Sequence, residues 1–263
     1  MIRLSVETSL LVAEGLASTT LVIRFLTAGL SQVYRFFFIY LIAFCLQLMG
    51  AFFIETETQA YTNFFFSTEA AIVFLYFLIT LELYSLVLRD LKGIATVARR
   101  FIHGAIAVSI LFSLLLLVFG NTSKDNVPSF YRNVARFFSF EQPIISSLIF
   151  FVFLITGFLF YYPIPLNRNV IHYTIGYAIY FSSKAVLLFL NSGHGQYWNR
   201  IMSCVMLGVS AGCLLFWVFA LTREGEIKPR SPGGSWTKDE QDRVLGLLSA
   251  LNASLLRGRR SIP

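Results

Sequence analysis

Four side chains with chemistry to offer recur along one face of a single apolar segment. In "HYTIGYAIYFSSKAVLLFL", residues 172 to 190, Tyr173, Tyr177, Tyr180 and Lys184 are separated by four, three and four positions. At about 100° per residue on an α-helix they fall within about 60° of arc, so three phenolic hydroxyls form a ladder that ends in a primary amine. A lysine inside a lipid-spanning helix costs about 2.5 kcal/mol or more on insertion scales, so it needs a partner and faces a bundle interior or a wet cavity. Such a face can bind a small or lipid-like ligand, or pass protons or anions along its hydroxyls. The plainer use of the same residues is static hydrogen bonding across helix contacts, with Lys184 in a structural ion pair.

Depth nominates the partners. Glu14 in the first apolar segment and Glu69 at the start of the third lie near the level of Lys184, and Glu69 heads its own face of Tyr76, Thr80 and Tyr84. A pair between Lys184 and either carboxylate lowers the cost of both charges. Arg24 and Glu82 match in depth nearer the other end and form a candidate second ion pair, although Glu82 points away from the Glu69 face. The expected arrangement has two polar layers.

Other chemistries find less support. His103, His172 and His194 do not converge on a metal-ligand spacing, and Cys45, Cys204 and Cys213 show no CxxC or Cys/His pattern, so no metal, disulfide or cofactor is expected. Glu55, Glu57, Glu69 and His194 share one side, where a divalent-cation site is conceivable but weakly supported. A lysine among seven spans could hold retinal as a Schiff base, but rhodopsins carry it on the last span, and "IMSCVMLGVSAGCLLFWVFAL" has none. No HExxH, GxSxG or P-loop occurs, so the chain is not expected to be an enzyme.

The elements that must position these residues follow from composition. Of 263 residues, 56% are hydrophobic and 13% charged, and the mean hydropathy is +0.69, whereas about a quarter of a soluble domain is charged. The fold class expected is all-α, a polytopic seven-transmembrane-helix bundle. Its spans lie at roughly 8–30, 36–54, 68–88, 101–119, 143–162, 170–190 and 201–221, each long enough for a hydrocarbon core of about 30 Å. The apolar stretch before Glu14 is too short for the core of a signal peptide, so the first span is read as part of the bundle. The lipid bilayer is the first partner implied, and the net charge of +7 belongs to topology, not to nucleic acid. Arg35, Arg89, Lys92, Arg99, Arg100, Arg168 and the basic tail fall on one side. Arg3, Lys124, Arg132, Arg136 and Arg200 fall on the other. The heavier basic side is cytoplasmic, which puts the N-terminus outside and the C-terminus inside.

Three further features complete the outline. In "PSFYRNVARFFSF", Phe130, Val134, Phe137 and Phe138 recur at helical spacing, suiting either a short helix at the outer interface or an irregular loop. On the last span Gly208 and Gly212 form a GxxxG, which lets a helix of the same bundle or of a second copy approach closely, the latter giving a homodimer. Residues 1–221 are thus the bundle, 222–236 a flexible linker, and 237–260 a cytoplasmic amphipathic helix with a capping box at Thr237 and Glu240. Val244, Leu248, Leu251 and Leu255 form its apolar stripe. That helix can engage a cytoplasmic protein or lie on the inner leaflet.

The strings "ELYSLVLRDLKGIATVARR", residues 82–100, and "LTREGE", residues 221–226, resemble a group of bacterial seven-span integral membrane proteins of acidobacterial type. The similarity covers most of residues 1 to 226 and implies a place in the bacterial inner membrane. It implies nothing about chemistry. The leading expectation is therefore a sensor-like bundle that binds a small or lipid-like ligand at the polar face of span six and couples to a partner through its C-terminal helix. A small-solute or proton-coupled transporter using Lys184 with Glu14 or Glu69 is the second reading, and an intramembrane lipid-modifying enzyme the third. Absence of a clear internal repeat with matched broken spans weighs against the transporter.

Overall fold

A computed structural model describes residues 2–54, 59–89, 91–119, 129–161, 166–191, 196–227, 229–230 and 238–260. Glu55, Glu57, His194, Thr237 and seven of the fifteen residues of the expected linker lie outside the described residues, and the other eight include a five-residue helix and a two-residue strand, so that part is not the flexible segment expected.

Seven long helices follow one another: α1 (Ile2–Ala28), α2 (Arg35–Phe53), α3 (Gln59–Val87), α4 (Lys92–Phe119), α5 (Ser129–Tyr161), α6 (Arg168–Asn191) and α7 (Gln196–Ala220). The short α8 (Arg223–Ile227) and the longer α9 (Lys238–Arg260) complete the described helices. Among the described residues three segments are long and apolar enough to cross a membrane, Thr8–Ala28, Asn63–Val87 and Glu141–Leu159, and Arg35–Gly50 and Cys204–Ala220 are shorter apolar stretches.

Two helices are longer than their hydropathy suggests. α5 runs for 33 residues through Pro143, so the expected interfacial helix and the fifth span are one continuous element. Pro143 supplies no N–H to the helix and frees one carbonyl a turn earlier, which the rest of a long helix tolerates. α4 starts at Lys92, so most of the basic loop "RDLKGIATVARR" is its first turns.

The chain reverses tightly between α1 and α2. Gly29 adopts φ 70°, a left-handed conformation that other residues rarely take, and a 3-10 turn over Leu30–Gln32 leads into α2. α1 packs on α2 and α7, α2 on α3, α5 on α4 and α6, and α6 on α7, while α3 touches α4, α5 and α6. The ring closes with α3 meeting α6 across it. We call the end at which α1, α3, α5 and α7 begin the upper end, and the opposite end the lower.

The lower half of the interior is aromatic. Phe37 sits 5.1 Å from Tyr173 and 4.9 Å from Trp217, ring centre to ring centre, and Tyr177 lies 4.9 Å from Trp217. The close approach of α6 and α7 falls at Gly176, where a Cβ would lie 2.4 Å from Trp217 Nε1. Gly208 and Gly212 play no such part, because a Cβ at either meets nothing within 4 Å. Among the described residues the GxxxG therefore does not bring another helix close. Outward faces carry large apolar side chains, among them Leu16, Phe101, Phe150 and Phe219, the last 75% exposed.

The stripe of α9 meets its own chain. α9 packs on α4, Asn252 Oδ1 accepts from the Gly93 N–H at 2.6 Å, and Leu248 is buried with Val244 against the core. Leu251 stays 50% exposed, so the expected four-residue stripe is split between the bundle and its surroundings. A two-residue antiparallel pairing, β1 (Leu166–Asn167) with β2 (Pro229–Arg230), ties the start of α6 to the chain beyond α8.

Candidate functional site

The helical period of α6 turns Tyr173, Tyr177, Tyr180 and Lys184 to the interior, and all four are buried. α3 does the same with Tyr76, Thr80 and Tyr84. Where these faces meet near the upper end, Lys184 Nζ lies 3.2 Å from Glu69 Oε1 and 2.5 Å from Glu141 Oε1. It also stands 4.8 Å from the centre of the Tyr76 ring, a distance at which the ring face attracts an ammonium. Glu69 is held by its second oxygen, which accepts from Gln47 Nε2 at 2.8 Å. Tyr76 and Tyr180 share a hydroxyl–hydroxyl hydrogen bond of 2.7 Å.

These groups line a chamber of about 490 Å³. Besides its tyrosines, six helices each contribute a polar side chain: Glu14 from α1, Gln47 from α2, Glu69 from α3, Glu141 from α5, Lys184 from α6 and Ser210 from α7. Phe44, Tyr61, Phe64 and Phe65 supply aromatic wall. Glu14, 3% exposed, does not reach Lys184 and hydrogen-bonds the Ser210 hydroxyl instead. Of the two carboxylates expected for Lys184, Glu69 makes the pair and Glu14 shares only the chamber.

Glu141 is the site residue that sequence reasoning missed. Its side chain is fully buried, and neither carboxylate oxygen has a hydrogen bond of ordinary geometry among the described residues. The contact with Lys184 is thus one of charge at short distance. With the fifth span set to begin at Pro143, Glu141 fell outside it. An acidic residue two positions before that proline in "FSFEQPIISS" was the available signal.

The lower polar layer differs from expectation. Arg24 and Glu82 do not pair. Arg24 Nη1 donates to the carbonyl of Val218, because α1 turns it toward α7. Glu82 instead closes the start of α2, accepting from the N–H groups of Phe36 at 3.0 Å and Phe37 at 3.3 Å, and from the Tyr173 hydroxyl at 3.3 Å. A carboxylate there satisfies otherwise unpaired helix N–H groups and complements the helix dipole.

Below it, Glu226 accepts from Tyr34 Oη at 3.0 Å and Asn167 Nδ2 at 2.9 Å. Asn169 donates to the Thr222 carbonyl at 2.6 Å and accepts from the Thr222 N–H at 3.1 Å. Burial, reinforced by Glu226, pushes the Tyr34 phenol well above its usual range, so it remains a donor. These are fastenings between elements.

The hydroxyl ladder is not one continuous chain. Tyr173 serves Glu82 below and Tyr180 serves the chamber above, while the Tyr177 hydroxyl between them has no hydrogen-bond partner of ordinary geometry among the described residues. Among those residues no set of three His, Cys, Asp or Glu side chains is gathered closely enough to hold a metal ion.

Comparison with family models, with curated proteins and with solved structures gives no match to this chain.

Proposed function

We propose that this chain is a multi-pass protein of the bacterial inner membrane and that its upper chamber binds a small or lipid-like ligand in the manner of a sensor. The seven long helices then cross the bilayer with the N-terminus outside and the C-terminus inside. Outward-facing Leu16, Phe101, Phe150 and Phe219 support this, since lipid is the surrounding that makes such exposure favourable.

One observation carries the binding reading: a chamber of about 490 Å³ lined by polar side chains from six helices. That volume is in the range of small-molecule sites. A ligand held there touches six of the seven long helices at once, so it can favour one arrangement of them over another by its differential contacts. α9, fastened to α4 through Asn252 and Leu248, is the element through which a change in the bundle would reach a partner or the inner leaflet.

The break at Tyr177 and the aromatic plug around Phe37 and Trp217 favour binding over transport, which needs a path to both ends.

Native mass spectrometry of protein extracted gently from its own membranes tests the reading. Leu207 also lines the chamber; wild type should carry a bound mass, and Leu207→Trp, which adds bulk there and leaves every charged residue in place, should not. Equal loading of both proteins, or none in wild type, would refute the proposal.

A further inference from the structure

We propose that the chamber takes an organic monocation, an alkylammonium whose charge is received at Glu14 and whose carbon skeleton lies against the aromatic wall. This rests on the binding reading above and adds the chemical class of the ligand.

The charge balance points to it. Glu14, Glu69 and Glu141 line the chamber with Lys184 as the cation among the described lining residues. Lys184 is already engaged from two sides by Glu69 and Glu141. Glu14 is buried with a serine hydroxyl and without an ion pair among the described residues, and the fully buried Glu141 carboxylate makes no hydrogen bond there. A buried carboxylate without a counter-charge is costly, so among its described lining residues the site is short of positive charge and not of negative. An anionic ligand would meet the surplus carboxylates. A bare metal ion would find no set of three His, Cys, Asp or Glu ligands among the described residues.

The walls specify the kind of cation. Phe44, Tyr61, Phe64 and Phe65 line the same chamber as the acidic groups, and aromatic faces attract ammonium groups while burying carbon. The protein's own amine shows the mode: Lys184 sits between carboxylates with Nζ 4.8 Å from the Tyr76 ring centre. A ligand ammonium at Glu14 would repeat that arrangement across the same cavity.

The test uses the full chain in nanodiscs of zwitterionic lipid and three probes of equal chain length: hexyltrimethylammonium, hexanoate and hexanol. Calorimetry should find saturable binding of the ammonium and none of the others. Glu14→Gln should weaken it about tenfold or more, the loss expected for a charge-assisted contact, without lowering the thermal midpoint. Hexanoate or hexanol binding as well as the ammonium would overturn the cation class yet leave a ligand chamber. Ammonium binding unchanged by Glu14→Gln, or no ammonium binding at all, would also overturn it. The mass spectrometric comparison judges the binding reading separately. Should Glu14→Gln fail to fold, Leu207→Trp takes its place: it must abolish ammonium binding, and persistence there would sink the inference.

Discussion

Lys184→Met should be among the most damaging single substitutions in the bundle. The lysine is the shared cation of two carboxylates, 3.2 Å from Glu69 and 2.5 Å from Glu141. Removing one partner of a buried pair costs about 3–5 kcal/mol, since the remaining charge stays in a medium that solvates it poorly. The fully buried Glu141 belongs in that range. Glu69 keeps its Gln47 hydrogen bond and adds less. Glu141→Gln alone should cost about 1–2 kcal/mol, because Lys184 retains Glu69. The double variant should then be more stable than the two single losses together imply, with a coupling of about 2 kcal/mol. Reversible unfolding by sodium dodecyl sulfate in mixed micelles, followed by circular dichroism, measures all four proteins. A Lys184→Met cost below about 1 kcal/mol, the range of exposed pairs, would refute the reasoning. So would simple additivity of the two substitutions.

The remaining predictions concern the frame around the site. Glu82→Ala should cost about 2 kcal/mol in the same assay, because it removes the acceptor for two N–H groups at the start of α2 and for Tyr173. A loss no larger than that of Glu82→Gln would show the charge and cap to be unimportant. Gly176→Ala should destabilise by about 1–3 kcal/mol through its clash with Trp217, whereas Gly212→Ala, facing open space, should be near neutral. Equal thermal midpoints for the two would contradict the α6–α7 approach. Leu248→Asp should release α9 from α4 and speed its cleavage in limited proteolysis, while Leu251→Asp, at an exposed position, should not. Identical cleavage rates would mean that α9 is not fastened as described.

Much of the fold was legible because hydropathy and helical period are local properties. The seven apolar segments coincide with seven long helices, and the four-three-four spacing of Tyr173, Tyr177, Tyr180 and Lys184 is enough to place them on one buried face. Depth along antiparallel segments nominated both Glu14 and Glu69 for Lys184, and of these Glu69 makes the pair. Depth does not set rotation about each helix axis, however. Arg24 and Glu82 match in level but face α7 and the start of α2, so the expected pair does not form.

Glu141 was hidden for a related reason. Pro143 reads as a boundary, yet the helix continues through it, and only the packing of α5 against α3 and α6 shows that a residue at the edge of the hydropathy signal is buried. Small residues misled in the opposite direction: Gly208 and Gly212 have the spacing of a close contact, but Gly176 makes it, since which face of α7 meets α6 depends on the whole ring of helices. The sequence by itself determined the number of long helices and the face of α6 that turns inward, because each depends on residues within a few turns. Tertiary structure alone decided which charges meet, where the chamber lies and that α9 rests on its own bundle. Those outcomes depend on rotations and contacts between elements far apart in the chain, which no local pattern encodes.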